Sequence, residues 1–447
     1  MLNKITTLEN ELNNFDSKIR SQALAELNNL LEAGEIKIAS ATAAHNLHCH
    51  SFFSYNGYGF SPSYIVWLAK KAGHFAVGCV DFDVLDAVNE FLAAAELLGV
   101  RAVCGLETRV FINELADHEI NSPGEPGVSY HMGMGFVSSQ APDSAVQVLA
   151  EMRETAKLRT ENMVRLVNGF LTEIALDFDV DAKVLTPAGN VTERHLCEAY
   201  RLKAETVFPE TVERIAFWAN KLALASEQIS TIIDDAAAME ALIRSKTMKS
   251  GGVGYVKATP ESFPTIESMN AFTVACGALP VIAWLNGEFA GEAAPEALIK
   301  LHLAKGAAAI NIIPDRNWNF ADADIRAKKI TELNRIIAAA KKHYLPIIIG
   351  TEMNAPGLKL VDDFDCEALA PYTDDFVDGA AIIFAHTLLV SADMGYLSEW
   401  AGANFNNAAD KYNFYAKLGR IATVDKWNLI SKISVEKTPV EILELVK

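Results

Sequence analysis

The sequence predicts an α/β fold built from βα units around a parallel sheet, with helical additions at both ends and a helical segment in the middle. Three observations predict it. From residue 44 onward, short apolar runs alternate with longer stretches of helical spacing, the pattern of strands followed by crossover helices. Several of the apolar runs stop in histidine or acid, as at His48-Cys49-His50, Glu107 and Glu352, and βα barrels carry their functional groups at strand C-termini. Between residues 138 and 262 the strand runs give way to long helix-like segments. The expected division is therefore 1–40 as an N-terminal helical extension, 41–137 as the first part of a barrel and 138–262 as a mainly helical insertion. Residues 263–395 complete the barrel and 396–447 form a helical tail.

Each element has a local reason. Ile5, Leu8, Leu12, Phe15 and Ile19, then Leu24, Leu27, Leu30 and Leu31, recur at helical spacing, so residues 3–33 predict one or two amphipathic helices. Leu47 ends the first strand. Ser61-Pro62 opens a helix that reaches Ala72-Gly73, because Ser is a favoured N-cap and Pro suits the first turn. A strand at 75–80, a helix at 84–98 with Asp83 as its N-cap, and a strand at 100–110 follow. Helices at 141–170, 192–207 and 211–226 make up most of the insertion. The βα rhythm resumes with strands at 279–284, 308–313 and 346–351 and helices at 295–304 and 323–342, and one more apolar run spans 380–385.

Composition narrows the function. Among 447 residues, 39 Lys and Arg face 57 Asp and Glu, a net charge of −18, which excludes an extended nucleic-acid surface because such surfaces need clustered cations. With 50% hydrophobic and 21% charged residues the chain is a packed globular one. The apolar stretch 275–285 is too short for a membrane helix, which needs ~20 residues. The N-terminus lacks the apolar region of a secretory signal, so a cytoplasmic location is expected. Cys49, Cys79, Cys104, Cys197, Cys276 and Cys366 are dispersed among apolar neighbours and read as buried thiols.

His48 and His50 carry the sharpest chemical signal. Two residues apart on a strand, their imidazoles point to one face and can converge on a metal. Loop histidines bonded to backbone would give the same spacing. Glu107 and Arg109 share a face by the same period-two argument, and Glu352 ends a later strand, so two histidines and two carboxylates make a divalent-metal site the better reading.

The ordered segments Asn46-Leu47-His48-Cys49-His50-Ser51, Ser54-Tyr55-Asn56-Gly57, Val80-Asp81-Phe82-Asp83, Gly105-Leu106-Glu107, His131 and Gly350-Thr351-Glu352-Met353-Asn354 together resemble the PHP (polymerase and histidinol phosphatase) family of metal-dependent phosphoesterases. The resemblance spans about 44–355 outside the insertion. It implies a distorted (β/α)7 TIM-like barrel with a helical insertion and helical N- and C-terminal extensions. It implies that His48, His50, Glu107 and Glu352 hold one ion and that His131 holds or assists a second. Departures limit this set: Asn56 stands where the family usually has Asp, Phe82 where it has His, and Asn354 where its last His falls. Phe82 cannot bind a cation and the two amides offer only neutral oxygens, so a third metal site is expected to be lost. Ala283-Trp284-Leu285 replaces an Ala-His-Pro motif, leaving His195 or His386 to complete a second site. The segment Thr192-Glu193-Arg194-His195-Leu196 is similar to that family's Arg-x-His turn, although a helix capped by Thr192 explains His195 equally well.

The remaining candidates have competing readings. Arg109 binds a phosphoryl oxygen or pairs with a neighbouring acid. Asp81 orients a ligand histidine from behind. Lys246 and Lys249, ahead of Gly251-Gly252-Val253-Gly254, cradle a phosphate or flank an ordinary turn, and Arg316 follows a strand where it can line the site. The chain is thus expected to be a metal-dependent hydrolase, chiefly a phosphoesterase acting on a small phosphorylated metabolite or nucleotide. One or two divalent ions (Mn, Zn, Fe or Mg) are implied, with Glu107, Arg109, His131 and Asp81 closest to the chemistry. The alternatives are a degraded barrel that binds a ligand or protein without turnover, and amide hydrolysis on the same metal.

Overall fold

The structure, a computed structural model, describes residues 2–257, 259–430 and 432–446. Seven strands, β1 (His45–Asn46), β2 (Ala76–Phe82), β3 (Ala102–Phe111), β4 (Val128–Met134), β5 (Leu279–Trp284), β6 (Ala309–Ile312) and β7 (Ile347–Ile349), lie in sequence order in one sheet. β1, β2 and β3 are parallel to one another, as are β5, β6 and β7, whereas β4 is antiparallel to both of its neighbours. The sheet is mixed, which corrects the expected parallel one. Residues 128–134 alternate polar with apolar side chains, so they lack the continuous apolar run that marks a strand buried on both faces.

The sheet nearly closes into a barrel between its first and last strands. The Leu47 N–H donates to the Ile349 carbonyl (2.9 Å), Glu352 N–H to the His48 carbonyl (2.7 Å) and His50 N–H to the Glu352 carbonyl (2.8 Å). Gly350 lies at this seam, where a Cβ would stand 2.5 Å from Asn46 Oδ1 and from the His48 nitrogen. Only glycine fits there.

Helices α1 (Leu2–Glu11) and α2 (Ser17–Glu32) bury Leu8, Leu12, Leu24 and Leu27 in the same cluster as Ile65 and Trp67 of α3 (Pro62–Ala72). Ser61 caps α3 through its side chain, Pro62 opens the helix, and Gly73 ends it at φ 66°. Asp83 does not cap the next helix. α4 (Val88–Leu98) begins after Ala87, and Asp83, at φ 60°, accepts instead from Thr108 Oγ1 at 2.6 Å.

Helices α5 (Val146–Phe170), α6 (Glu193–Val207), α7 (Thr211–Leu222), α8 (Ser226–Ser230) and α9 (Ala236–Thr247) gather around their own core, which includes Val164, Leu196, Tyr200, Trp218 and Ile243. Asn190 joins this layer to the barrel by donating to the carbonyls of Phe53 (3.1 Å) and Phe82 (3.0 Å).

The second half carries α10 (Ile266–Ala275), α11 (Pro295–Ala304), α12 (Asp315–Trp318), α13 (Ala323–Lys342), α14 (Thr373–Leu389), α15 (Glu399–Asn404) and α16 (Ala408–Ile421). The apolar run 380–385 lies inside α14, whose Ala380, Ile383 and Phe384 share a buried cluster with Val80, Val103, Met132 and Ile348 of the sheet. Among the described residues one segment, 370–392, is long and apolar enough to cross a membrane, and 78% of its most apolar 18-residue stretch is buried within the protein. It serves as a core helix.

Candidate metal centre

His48 and His50 leave β1 two residues apart and so share a face, while Cys49 between them turns the other way and points its Sγ at the Gly78 carbonyl, 2.9 Å away. Glu107 on β3 meets them. His48 Nε2 and His50 Nε2 each lie 3.3 Å from Glu107 Oε2, all three side chains are buried, and the donor atoms fall within 4.8 Å of one another.

The tautomer of His50 follows from its surroundings. Its Nδ1 is 3.2 Å from Ser54 Oγ, and that hydroxyl gives its only proton to Asp81 Oδ1 at 2.7 Å. Nδ1 therefore carries a hydrogen, donated to Ser54 Oγ, and Nε2 is the ring nitrogen turned toward the Glu107 carboxylate. The Ser51 N–H and hydroxyl also donate to Asp81, at 2.8 and 2.6 Å, so this acid is locked behind the ligand histidine. Neither Nε2 atom has a hydrogen-bond partner among the described residues. Two imidazole nitrogens and a carboxylate oxygen turned on one point form a donor set that a divalent cation satisfies.

The charges agree with that. Burial works against the Glu107 carboxylate, yet the two imidazoles outweigh it and hold its pKa at about 2. Burial also disfavours a charged His48, but the carboxylates of Glu107 and then Glu352 overcome it and raise its pKa.

Glu352 reaches the same region from the seam, with Glu352 at φ 62° and Met353 at φ 52°. Its Oε2 accepts from Asn354 Nδ2 (3.0 Å) and pairs with the Arg316 guanidinium, and it stays outside the three-donor cluster.

The other sequence candidates are dispersed. His131 pairs in register with Thr108, while its neighbour Met132 pairs with Glu107, so His131 faces the outside of the barrel. Its Nε2 lies 2.6 Å from Asn270 Oδ1 on α10, and burial lowers its pKa to about 4. It is a structural histidine, which corrects its assignment to a second metal and to the chemistry. His195 sits in the first turn of α6, where its Nδ1 accepts from the Thr192 N–H (3.0 Å) in a capping box. His386 on α14 accepts from the Tyr396 N–H (3.0 Å), remote from the cluster. Asn56 is tied into its loop, donating to the His50 carbonyl (2.8 Å) and accepting from the Tyr58 N–H (2.8 Å). In place of further ligands, Phe82 stacks on His50 with centroids 4.5 Å apart.

A cleft of about 400 Å³ opens over the cluster. Six cations line it (Arg109, Arg159, Arg194, Arg244, Lys249 and Arg316) against four carboxylates (Asp83, Glu107, Glu193 and Glu352). Arg109 pairs with Glu125 (2.8 Å), Arg159 with Asp83 (3.3 Å), and Arg244 and Lys249 share Glu193. Arg194 has no ion pair among the described residues. Lys246 is exposed outside the cleft, and the glycine loop after it is a turn, with the Gly254 N–H on the Thr247 carbonyl at 2.7 Å. Asn311 and Trp284 also line the cleft, and Asn311 Oδ1 and Trp284 Nε1 have no hydrogen-bond partner among the described residues.

No family model matches the chain, and no curated protein matches it. Two solved structures are similar in arrangement. An amidohydrolase from Chromobacterium violaceum, with bound sulfate and no metal, aligns with 72% of this chain and 91% of its own at 19% identity and a TM-score of 0.47. A protein from Bifidobacterium adolescentis, described as a candidate metal-dependent phosphoesterase, aligns with 73% of this chain and 94% of its own at 16% identity and a TM-score of 0.46.

Sequence reasoning assigned no role to Arg159, Arg194 or Arg244. α5 also carries Arg153 and Arg165 and α6 also carries Arg201, so nothing local marks Arg159 or Arg244, and Arg194 entered only through the segment 192–196; the packing of those helices over the barrel brings the three to one cleft.

Proposed function

We propose that the chain is a metal-dependent hydrolase of small anionic esters, with phosphomonoesters the favoured class. The observation that carries this reading is the convergence of His48, His50 and Glu107 at the floor of a cleft whose walls hold more cations than acids, in a protein of net charge −18. Two imidazoles and one carboxylate suit Zn2+, Mn2+ or Fe2+ better than Mg2+, which prefers oxygen. With His131 turned outward, the geometry favours a single ion. The chemistry such an ion supplies when bound is activation of water near neutral pH and polarisation of the phosphoryl group.

The chain's own residues do the rest. Asp81, through Ser54, keeps the His50 lone pair directed at the ion. Arg194 and Lys249 bind the anionic substrate through charge-assisted hydrogen bonds, Arg194 from a half-buried position whose burial lowers its pKa and Lys249 from the exposed rim, where it already pairs with Glu193. Phe82, stacked on His50, keeps bulk water from one side of the cluster.

The test is metal analysis of the purified chain followed by a panel of phosphate esters, with p-nitrophenyl esters and amides alongside. Glu107→Gln is expected to lose metal and turnover together. Wild-type protein that holds no Zn2+, Mn2+ or Fe2+ sinks the reading. One observation favours a second reading, a binding module without turnover: among the described residues three donors converge, and the Phe82 ring stacks on one of them. Metal and ligand bound, with no ester or amide cleaved, would establish it.

A further inference from the structure

Arg316 follows β6 on the short helix α12, whose backbone is pinned by its neighbour: Asn317 Nδ2 donates to the carbonyls of Leu285 (2.9 Å) and Ile313 (3.0 Å). The side chain itself is 46% exposed and lines the cleft, so it can swing while the helix stays fixed. At present it grips Glu352 Oε2, the oxygen that Asn354 Nδ2 also contacts at 3.0 Å. Glu352 is only 11% exposed, carries a carboxylate and hangs from a backbone joined to His48 and His50 by two hydrogen bonds, yet its oxygens stay out of the cluster that those histidines form with Glu107. A fourth donor is therefore at hand and is held by a cation.

We propose that Arg316 is an internal competitor of the metal, holding the Glu352 carboxylate out of the His48–His50–Glu107 cluster until the ion or an incoming anion draws the two apart. This rests on the metal-dependent reading above. A guanidinium and a divalent cation compete for one carboxylate, and each disfavours the other at short range. Once released, the guanidinium lies in the cleft with its donors free for the oxyanion of a substrate, so metal loading and anion capture favour each other. Arg316 thus acts on the centre through Glu352 and is a positioning residue.

The experiment is titration of metal-free full-length protein with Mn2+, free ion being read by electron paramagnetic resonance, for wild type, Arg316→Gln, Glu352→Gln and the double variant. Arg316→Gln is expected to tighten Mn2+ binding about tenfold or more, the scale on which groups behind the ligands act. In the Glu352→Gln background the same change should have no such effect. Unchanged or weaker binding by Arg316→Gln overturns the proposal, and so does tightening that persists without the Glu352 carboxylate, since that is plain charge repulsion. If Arg316→Gln fails to fold by circular dichroism, Arg316→Lys, which keeps the charge but loses the fork, is expected to tighten binding less. Absence of Mn2+ binding by every variant removes the hydrolase reading as well, whereas wild-type binding without tightening removes this inference alone.

Discussion

At the residue scale, neighbours determine what a titratable side chain becomes. Burial works to lower the pKa of both His48 and His131, but the carboxylates of Glu107 and Glu352 overcome it and raise the first, whereas the Asn270 amide only partly offsets it and the second stays lowered. Asp362 is a sharper case. Burial, followed by the charge of Asp315, lifts its pKa to about 8, and its Oδ2 has no partner among the described residues. The folded state therefore holds this proton more tightly than the unfolded chain, where the pKa is ~4. Native stability is lost from this site as pH rises between about 4 and 8. Asn has the same shape, cannot ionise and keeps an oxygen for the Asp315 N–H, which now donates to Oδ1 at 3.1 Å. Asp362→Asn is thus expected to match wild type near pH 4.5 and to melt higher at pH 8. A melting-temperature difference that stays constant over that range would refute the assignment.

At the element scale, the seam between β1 and β7 supports the candidate centre. It places Glu352 beside the histidines through the His48 and Glu352 carbonyls, and it depends on the close approach at Gly350. Gly350→Ala would force a methyl to within 2.5 Å of backbone and of Asn46. The expected cost is about 1–3 kcal/mol in urea unfolding, the range for overpacking a tight site, together with weaker metal binding. An unchanged midpoint would mean that the seam yields easily. The antiparallel β4 illustrates how far local pattern reaches. The resemblance directed attention to His131, but the face it occupies depends on register against the preceding strand β3, at Thr108, and against β5, at Ile282, across the whole helical insertion.

At the scale of the whole molecule, the acidic chain concentrates cations in one place. Arg109 and Arg316 come from the barrel, while Arg159, Arg194, Arg244 and Lys249 come from the helical layer above it. Of these, Arg194 carries no ion pair among the described residues, so removing it leaves no acid unpaired. Arg194→Ala is expected to raise KM about tenfold with kcat nearly unchanged, the signature of lost uniform binding, and the effect should shrink as salt is raised. A fall in kcat at constant KM would move Arg194 from binding into the chemistry.

The sequence by itself determined some helix starts, such as Pro62 behind the Ser61 cap, the alternation of strand and helix, and the pairing of His48 with His50 on one face. These depend on side chains a few residues apart, where the chemistry of capping and the strand period decide the outcome. Glu107 was legible for the same reason, as an acid that closes an apolar run, although β3 continues past it to Phe111. Only the tertiary structure decided that β4 runs backward, that His131 faces out, that Arg316 holds Glu352, and that three distant helices place arginines over one cleft. Each of those facts is a contact between segments tens to hundreds of residues apart, set by register and packing, which no local spacing encodes.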